Sequence, residues 1–212
     1  SPSQIITDLK KQGVKVVLGH KNAHISDKLG LVIYNRAILT INPEFIASKR
    51  ASIPMMSYPE ALGILTRYYK TIAVAGAHGK STTTALTALA LIKAGLDPTV
   101  IIGTRLKEFK NTNFRMGKSE YLVIEADEFG KSFLNYSPSH AIITNIDKEH
   151  LDTYKNLSDI KKTFLKFISN IKRDGMLVVN KDNKNLYSLK TAIQKIAKQN
   201  KFKILWYSLS LL

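Results

Sequence analysis

Gly76, Gly79, Lys80 and Ser81, within the stretch TIAVAGAHGKSTTT from Thr71 to Thr84, have the residue types and spacing that a polyphosphate requires. Such a ligand is held by backbone N–H groups converging in a concave turn, by a helix N-terminus behind them, and by a cation that reaches the terminal phosphates. Gly76 and Gly79 permit the turn, Lys80 supplies the charge, and Ser81 carries a hydroxyl where a phosphate-binding loop ligates Mg²⁺. The longer pattern G-x-x-x-x-G-K-[ST] would need glycine at position 74, where this chain has Val74, so the match is to the shorter G-x-x-G-K-S. A β-branched run precedes the turn, and an apolar helical run through Leu86, Leu89 and Ile92 follows it to a stop at Gly95. Strand, turn and helix together point to a nucleoside triphosphate.

The apolar run Tyr121–Ile124 ends in Glu125-Ala126-Asp127-Glu128. Open α/β sheets place ligands at the carboxyl ends of their strands. Glu125 therefore falls toward Ser81 if the two strands are near neighbours, and would complete a Mg²⁺ site with it. Asp127 and Glu128 read as a solvated acidic turn. The next strand runs from Ala141 and opens into Asn145-Ile146-Asp147-Lys148-Glu149-His150. A lone histidine in such a loop is more often surface polarity than a ligand, and His20, His24 and His140 read as structural.

The elements that must position these groups alternate between strand and helix, the pattern of a largely parallel sheet with helices on its faces. Strands are expected at Thr71–Ala75, Thr99–Ile102, Tyr121–Glu125, Ala141–Asn145, Met176–Asn180 and Lys203–Trp206. Ser158 is expected to cap a helix whose Ile160, Phe164, Phe167, Ile168 and Ile171 form a core stripe, and a second helix carries Leu186, Leu189, Ile193 and Ile196. Before Thr71 the sequence reads as a helix over Ile5–Gln12, strands at Val14–Leu18 and Leu29–Tyr34, and a helix opened by Asn42-Pro43-Glu44. A connecting segment from Pro54 to Lys70 contains a further helix from Glu60 to Tyr69.

An apolar fraction of 44% is ordinary for a protein with a sizeable core, and the lack of cysteine excludes disulfides and thiolate metal sites. No apolar run approaches the roughly 18 residues needed to span a bilayer, which sets the expectation of a soluble, cytoplasmic protein with no membrane partner. The net charge of +16 raises nucleic acid as a partner. The lysines are spread along the chain without an arginine-rich arm or aromatic-basic motif, so a solvated lysine surface is the preferred reading and no nucleic acid is expected.

Taken together, AGAHGKSTTT, YLVIEADEFGKSFL and ITNIDKEHLDTY, in this order and at these separations, resemble the Mur ligases of peptidoglycan synthesis. The similarity is greater to the alanine-adding members than to the murein tripeptide recycling ligases. It implies a partial N-terminal Rossmann-like, UDP-sugar-binding domain over residues 1–53, a connecting segment over 54–70, and a P-loop central ATPase domain with a mostly parallel sheet over 71–212. It further implies ATP and Mg²⁺ as cofactors, with UDP-N-acetylmuramate and L-alanine as substrates joined through an acyl phosphate. Carried over by position, Lys80, Glu125 and His150 are the catalytic set, and Ser81, Glu125 and His150 the metal ligands. Gly76, Ala77, His78, Gly79, Lys80, Ser81, Thr82 and Asn145 are assigned to the nucleotide. Ala77 and Ser81 stand where threonine is common, Phe129-Gly130 where serine-aspartate is common, and Glu149 where aspartate is common. The resemblance also implies a glycine-rich turn before Ser1 and a further domain after Leu212, so this stretch is expected not to turn over alone.

Overall fold

A computed structural model of the chain describes residues 4–149 and 153–209. The chain divides into two compact units, Ser1–Ala61 and Leu62–Leu212.

The first unit contains α1 (Gln4–Lys11), β1 (Val32–Tyr34), α2 (Pro43–Arg50), β2 (Met55–Ser57) and the start of α3 (Tyr58–Tyr68). β1 and β2 pair in parallel with α2 as the crossover. The Asn42 side chain accepts hydrogen bonds from the Glu44 and Phe45 N–H groups and starts α2 with Pro43 in its first turn, as the sequence indicates. At the start of α3 the Glu60 side chain reaches back to the residue before the helix, its Oε2 accepting from the Ser57 N–H at 2.7 Å and from the Ser57 hydroxyl at 2.6 Å. The strand expected at Val14–Leu18 does not form. Its valines have β propensity, but among the described residues β1 and β2 pair only with each other in this unit, and propensity without a partner makes no ladder.

The second unit is built on a seven-stranded sheet of order β5-β4-β6-β3-β7-β8-β9. Its strands are β3 (Lys70–Ala75), β4 (Thr99–Leu106), β5 (Thr112–Arg115), β6 (Tyr121–Glu125), β7 (His140–Ile143), β8 (Met176–Asn180) and β9 (Lys203–Tyr207). All neighbours pair in parallel except β5, which runs antiparallel to β4 at one edge. β5 is absent from the expected strands because Thr-Asn-Phe-Arg has neither an apolar run nor a buried face. β3 lies between β6 and β7, and its Ala73, Val74 and Ala75 are fully buried, as central parallel strands covered on both faces require.

The helices of this unit are α4 (Lys80–Lys93), α5 (Leu157–Ser169), α6 (Lys184–Tyr187) and α7 (Lys190–Asn200). The core stripe of α5 is buried as expected, with Phe133 stacked on Phe167 at 4.7 Å and edge-on to Phe164 at 5.2 Å. Its cap differs from the expected Ser158. Asn156 sits one residue before the helix, and its side chain accepts from the Asp159 N–H, which leaves Ser158 inside the first turn. The single helix expected through Leu186 and Ile196 is two, because the Leu189 N–H bonds back to Leu186 and the chain restarts at Lys190.

Candidate functional site

β3 delivers the chain into the turn Gly76–Gly79, and α4 begins at Lys80. Gly76 has φ of +140°, and a Cβ there would lie 2.1 Å from Thr144 Oγ1, so both conformation and space require glycine. Gly79, at φ +77°, is the N-cap of α4 and brings no capping side chain. The 14-residue helix therefore presents its first-turn N–H groups to the hollow bounded by Ala77, Gly79, Lys80, Ser81, Thr82 and Glu125, about 330 Å³ in volume.

The loop beyond β7 braces this turn. Asn145 Oδ1 accepts from the His78 N–H at 2.8 Å while its Nδ2 donates to the His78 carbonyl at 2.9 Å. Thr144 Oγ1 donates to the same carbonyl at 2.7 Å, and the Ala77 N–H donates to the Asn145 carbonyl at 3.2 Å. Asn145 thus reaches the site by clasping its backbone with both ends of the amide. The His78 ring is exposed, with Glu149 at 3.3 Å and Asp147 at 3.8 Å.

Two pairs of charged or polar side chains meet at the start of α4. Ser81 Oγ donates to Glu125 Oε1 at 3.0 Å, and Glu125 Oε2 accepts from the Gly103 N–H at 2.7 Å. The β6–β3 pairing brings Glu125 level with Val74, so the expected approach of Glu125 to Ser81 follows from adjacent strands. Lys80 Nζ donates to the carbonyls of Gly76 at 2.8 Å and Ala77 at 3.2 Å. It also pairs with the Glu128 carboxylate at 3.1 Å.

Glu128 is a correction to the sequence reading: it is 3% exposed, whereas Asp127 beside it is solvated. Its backbone carbonyl accepts from the buried Tyr154 hydroxyl at 2.5 Å. Burial raises the Glu128 pKa above the usual carboxylate range, and the Lys80 charge opposes that rise. Burial, reinforced by the Glu128 charge, likewise pushes the Tyr154 hydroxyl far up. Nothing local in Glu-Ala-Asp-Glu distinguishes the buried acid from the solvated one. Gly103 had a readable sign, because an isolated glycine in a strand marks close approach; a Cβ there would meet the Glu125 carboxylate at 3.1 Å.

His150, expected as a catalytic residue and metal ligand, lies outside the described residues. Among the described residues no group of three or more His, Asp or Glu side chains is disposed to hold a metal ion. Ser81 and Glu125 form a pair of hard oxygen donors beside an uncapped helix N-terminus, the donor chemistry that suits Mg²⁺ when phosphate oxygens and water supply the remaining positions. His20 and His24 stand in the first unit, each with Nδ1 2.6 Å from a different oxygen of Glu44.

The sequence matches the profile of the Mur ligase middle domain over residues 74–210, and that of the Mur ligase family, catalytic domain, over residues 1–70. The chain belongs to the Mur ligase family. It is 43% identical over 188 residues to a UDP-N-acetylmuramate–L-alanine ligase of Clostridium botulinum, a match covering 88% of this chain and 41% of that protein. This Mur ligase chain therefore spans about two fifths of the length of the curated relatives it matches. Among solved structures it is similar to UDP-N-acetylmuramate-alanine ligase MurC from Thermotoga maritima, with TM-score 0.78 and 28% identity over 89% of this chain and 44% of that one. The UDP-N-acetylmuramate:L-alanyl-gamma-D-glutamyl-meso-diaminopimelate ligase of Neisseria meningitides shares the fold, with TM-score 0.82 and 23% identity over 97% of this chain and 67% of that one. No described helix is long and apolar enough to cross a membrane.

Proposed function

We propose that this chain carries the ATP site of a cytoplasmic ligase that joins L-alanine to the lactyl carboxylate of UDP-N-acetylmuramate. The observation that carries the reading is the meeting of Lys80 and the Ser81–Glu125 pair at the uncapped start of α4. Membership of the Mur ligase family and 43% identity to an alanine-adding relative support the choice of substrates. Residues 1–53 are assigned to the UDP-sugar domain, 54–70 to the connection and 71–212 to the ATP-binding domain.

Phosphoryl transfer between two anions is largely a matter of positioning and charge neutralisation. The first-turn N–H groups of α4 and the Gly76–Gly79 turn would cradle the ATP phosphates, with Thr82 at the rim. Lys80 would neutralise charge on the transferring group, and Ser81, Glu125 and His150 would hold Mg²⁺. Bound Mg²⁺ would supply further charge neutralisation at the phosphate oxygens. The lactyl carboxylate displaces ADP from the γ-phosphorus, the amine of L-alanine attacks the acyl carbon, and phosphate leaves as the amide forms and the amine loses a proton.

The test is phosphate release by the intact protein with Mg-ATP and UDP-N-acetylmuramate, given L-alanine, the tripeptide L-alanyl-gamma-D-glutamyl-meso-diaminopimelate, or no acceptor. Release that depends on L-alanine is expected. Release with the tripeptide alone would move the assignment to the recycling reaction, and release with neither would leave a nucleotide-binding module.

A further inference from the structure

Buried ion pairs are poor devices for stability, because desolvating two charges offsets most of their attraction, and apolar replacements often stabilise as well. The Lys80–Glu128 pair is such a pair: the two side chains are 14% and 4% exposed. It sits on the one lysine of the phosphate loop. Lysine has a long flexible stem and a charge that can be shared among several acceptors. Here the ammonium is held against the Gly76 and Ala77 carbonyls on one side and the Glu128 carboxylate on the other. Glu128 is itself anchored, since Tyr154, 2% exposed, donates to its carbonyl, and the Lys131 N–H donates to the same oxygen at 2.9 Å.

We propose that Glu128 is a positioning residue for Lys80, aiming the ammonium at the transferring phosphoryl group at the expense of nucleotide affinity. The proposal rests on the reading of the loop as an ATP site. A fixed negative charge beside the lysine opposes an incoming polyphosphate and competes for the same ammonium, so it weakens binding. The same charge confines Lys80 to one geometry, and confinement is what a positional catalyst needs. A purely structural ion pair makes a different prediction, in which its loss weakens nucleotide binding and turnover together.

The experiment compares the intact wild-type protein with E128Q and E128D, measuring the Kd of Mg-ATP by calorimetry and kcat for phosphate release with UDP-N-acetylmuramate and L-alanine. Glutamine keeps the size and an acceptor oxygen, so E128Q is expected to fold; its Kd should fall by about tenfold and its kcat by at least about tenfold, as for removal of one charge a few ångströms from a polyphosphate. E128D, which keeps the charge on a shorter stem, should leave Kd near the wild-type value and recover part of kcat. An unchanged or raised Kd in E128Q, or an unchanged kcat, overturns the proposal. If the wild type binds Mg-ATP yet releases no phosphate, the ligase reading fails by itself, and the Kd of E128Q still decides whether Glu128 opposes the nucleotide. A wild type that binds no Mg-ATP overturns both.

Discussion

Gly76 shows how one atom governs the site. A methyl group at this position would strike Thr144 Oγ1, and the φ of +140° is strained for any L side chain. Gly76→Ala is therefore expected to cost about 1–3 kcal/mol and to push the turn off the Asn145 clasp, so Mg-ATP binding should be lost at temperatures where circular dichroism still reports a folded protein. Retained affinity would mean that the turn tolerates the displacement. His140 makes a second prediction. Burial, aided by the Lys70 charge, lowers its pKa below the ordinary value of 6.5, and its buried Nδ1 has no hydrogen-bond partner among the described residues. The unfolded chain then binds the proton more tightly. The stability that His140 contributes is present above about pH 6.5 and is lost as the pH falls toward the folded pKa. Urea midpoints of wild type and His140→Leu should diverge as the pH is lowered from 7.5 to 5, with the wild type losing more; parallel curves would contradict the argument. Lys80, Ser81 and Glu125 were legible in the sequence because strand–turn–helix order and strand ends are local signals. Glu128 was not, since its burial is made by Tyr154 and Lys80, residues 26 and 48 positions away.

At the scale of elements, the cap of α5 separates propensity from geometry. Asn156 and Ser158 are both residues that cap helices, and apolar spacing alone does not say which one the chain uses. The backbone decides it: Asn156 is extended, with φ −169° and ψ 175°, and its Oδ1 takes the Asp159 N–H at 3.0 Å. Asn156→Ala should therefore lower stability by about 1 kcal/mol, whereas Ser158→Ala should stay within about 0.5 kcal/mol of wild type, both measured by urea denaturation. Equal losses would show that the two hydroxyl or amide groups share the cap. The buried stripe of α5 could be read because it repeats at helical spacing, and the central strands because each carries a short apolar run, Ile72–Ala75, Leu122–Ile124 and Ala141–Ile143. The break between α6 and α7 carries no glycine or proline, and the apolar residues continue across it in step. β5 takes its strand character from pairing with β4, which is a long-range fact that its own four residues do not encode.

At the scale of the whole molecule the excess of 32 basic over 16 acidic residues needs a physical role. A field of this sign attracts any polyanion, so charge alone does not separate nucleic acid from a small phosphorylated substrate. The two differ in what salt does to them. A nucleic-acid complex dissolves steeply with salt because each phosphate contact releases counterions, and it would be indifferent to Lys80→Ala. A small anion drawn by the general field but held by the α4 N-terminus and Lys80 behaves otherwise. Its encounter rate falls as the screening length shrinks from about 30 Å at 0.01 M salt to about 3 Å at 1 M, while its escape is governed by contacts too short to be screened. Stopped-flow binding of a fluorescent ATP analogue is therefore expected to show an association rate that drops by about tenfold between 0.02 and 0.5 M salt, with a dissociation rate that changes less than about twofold. A salt effect confined to dissociation would place the relevant charges at the bound phosphates themselves and leave the lysine-rich surface with solubility as its role.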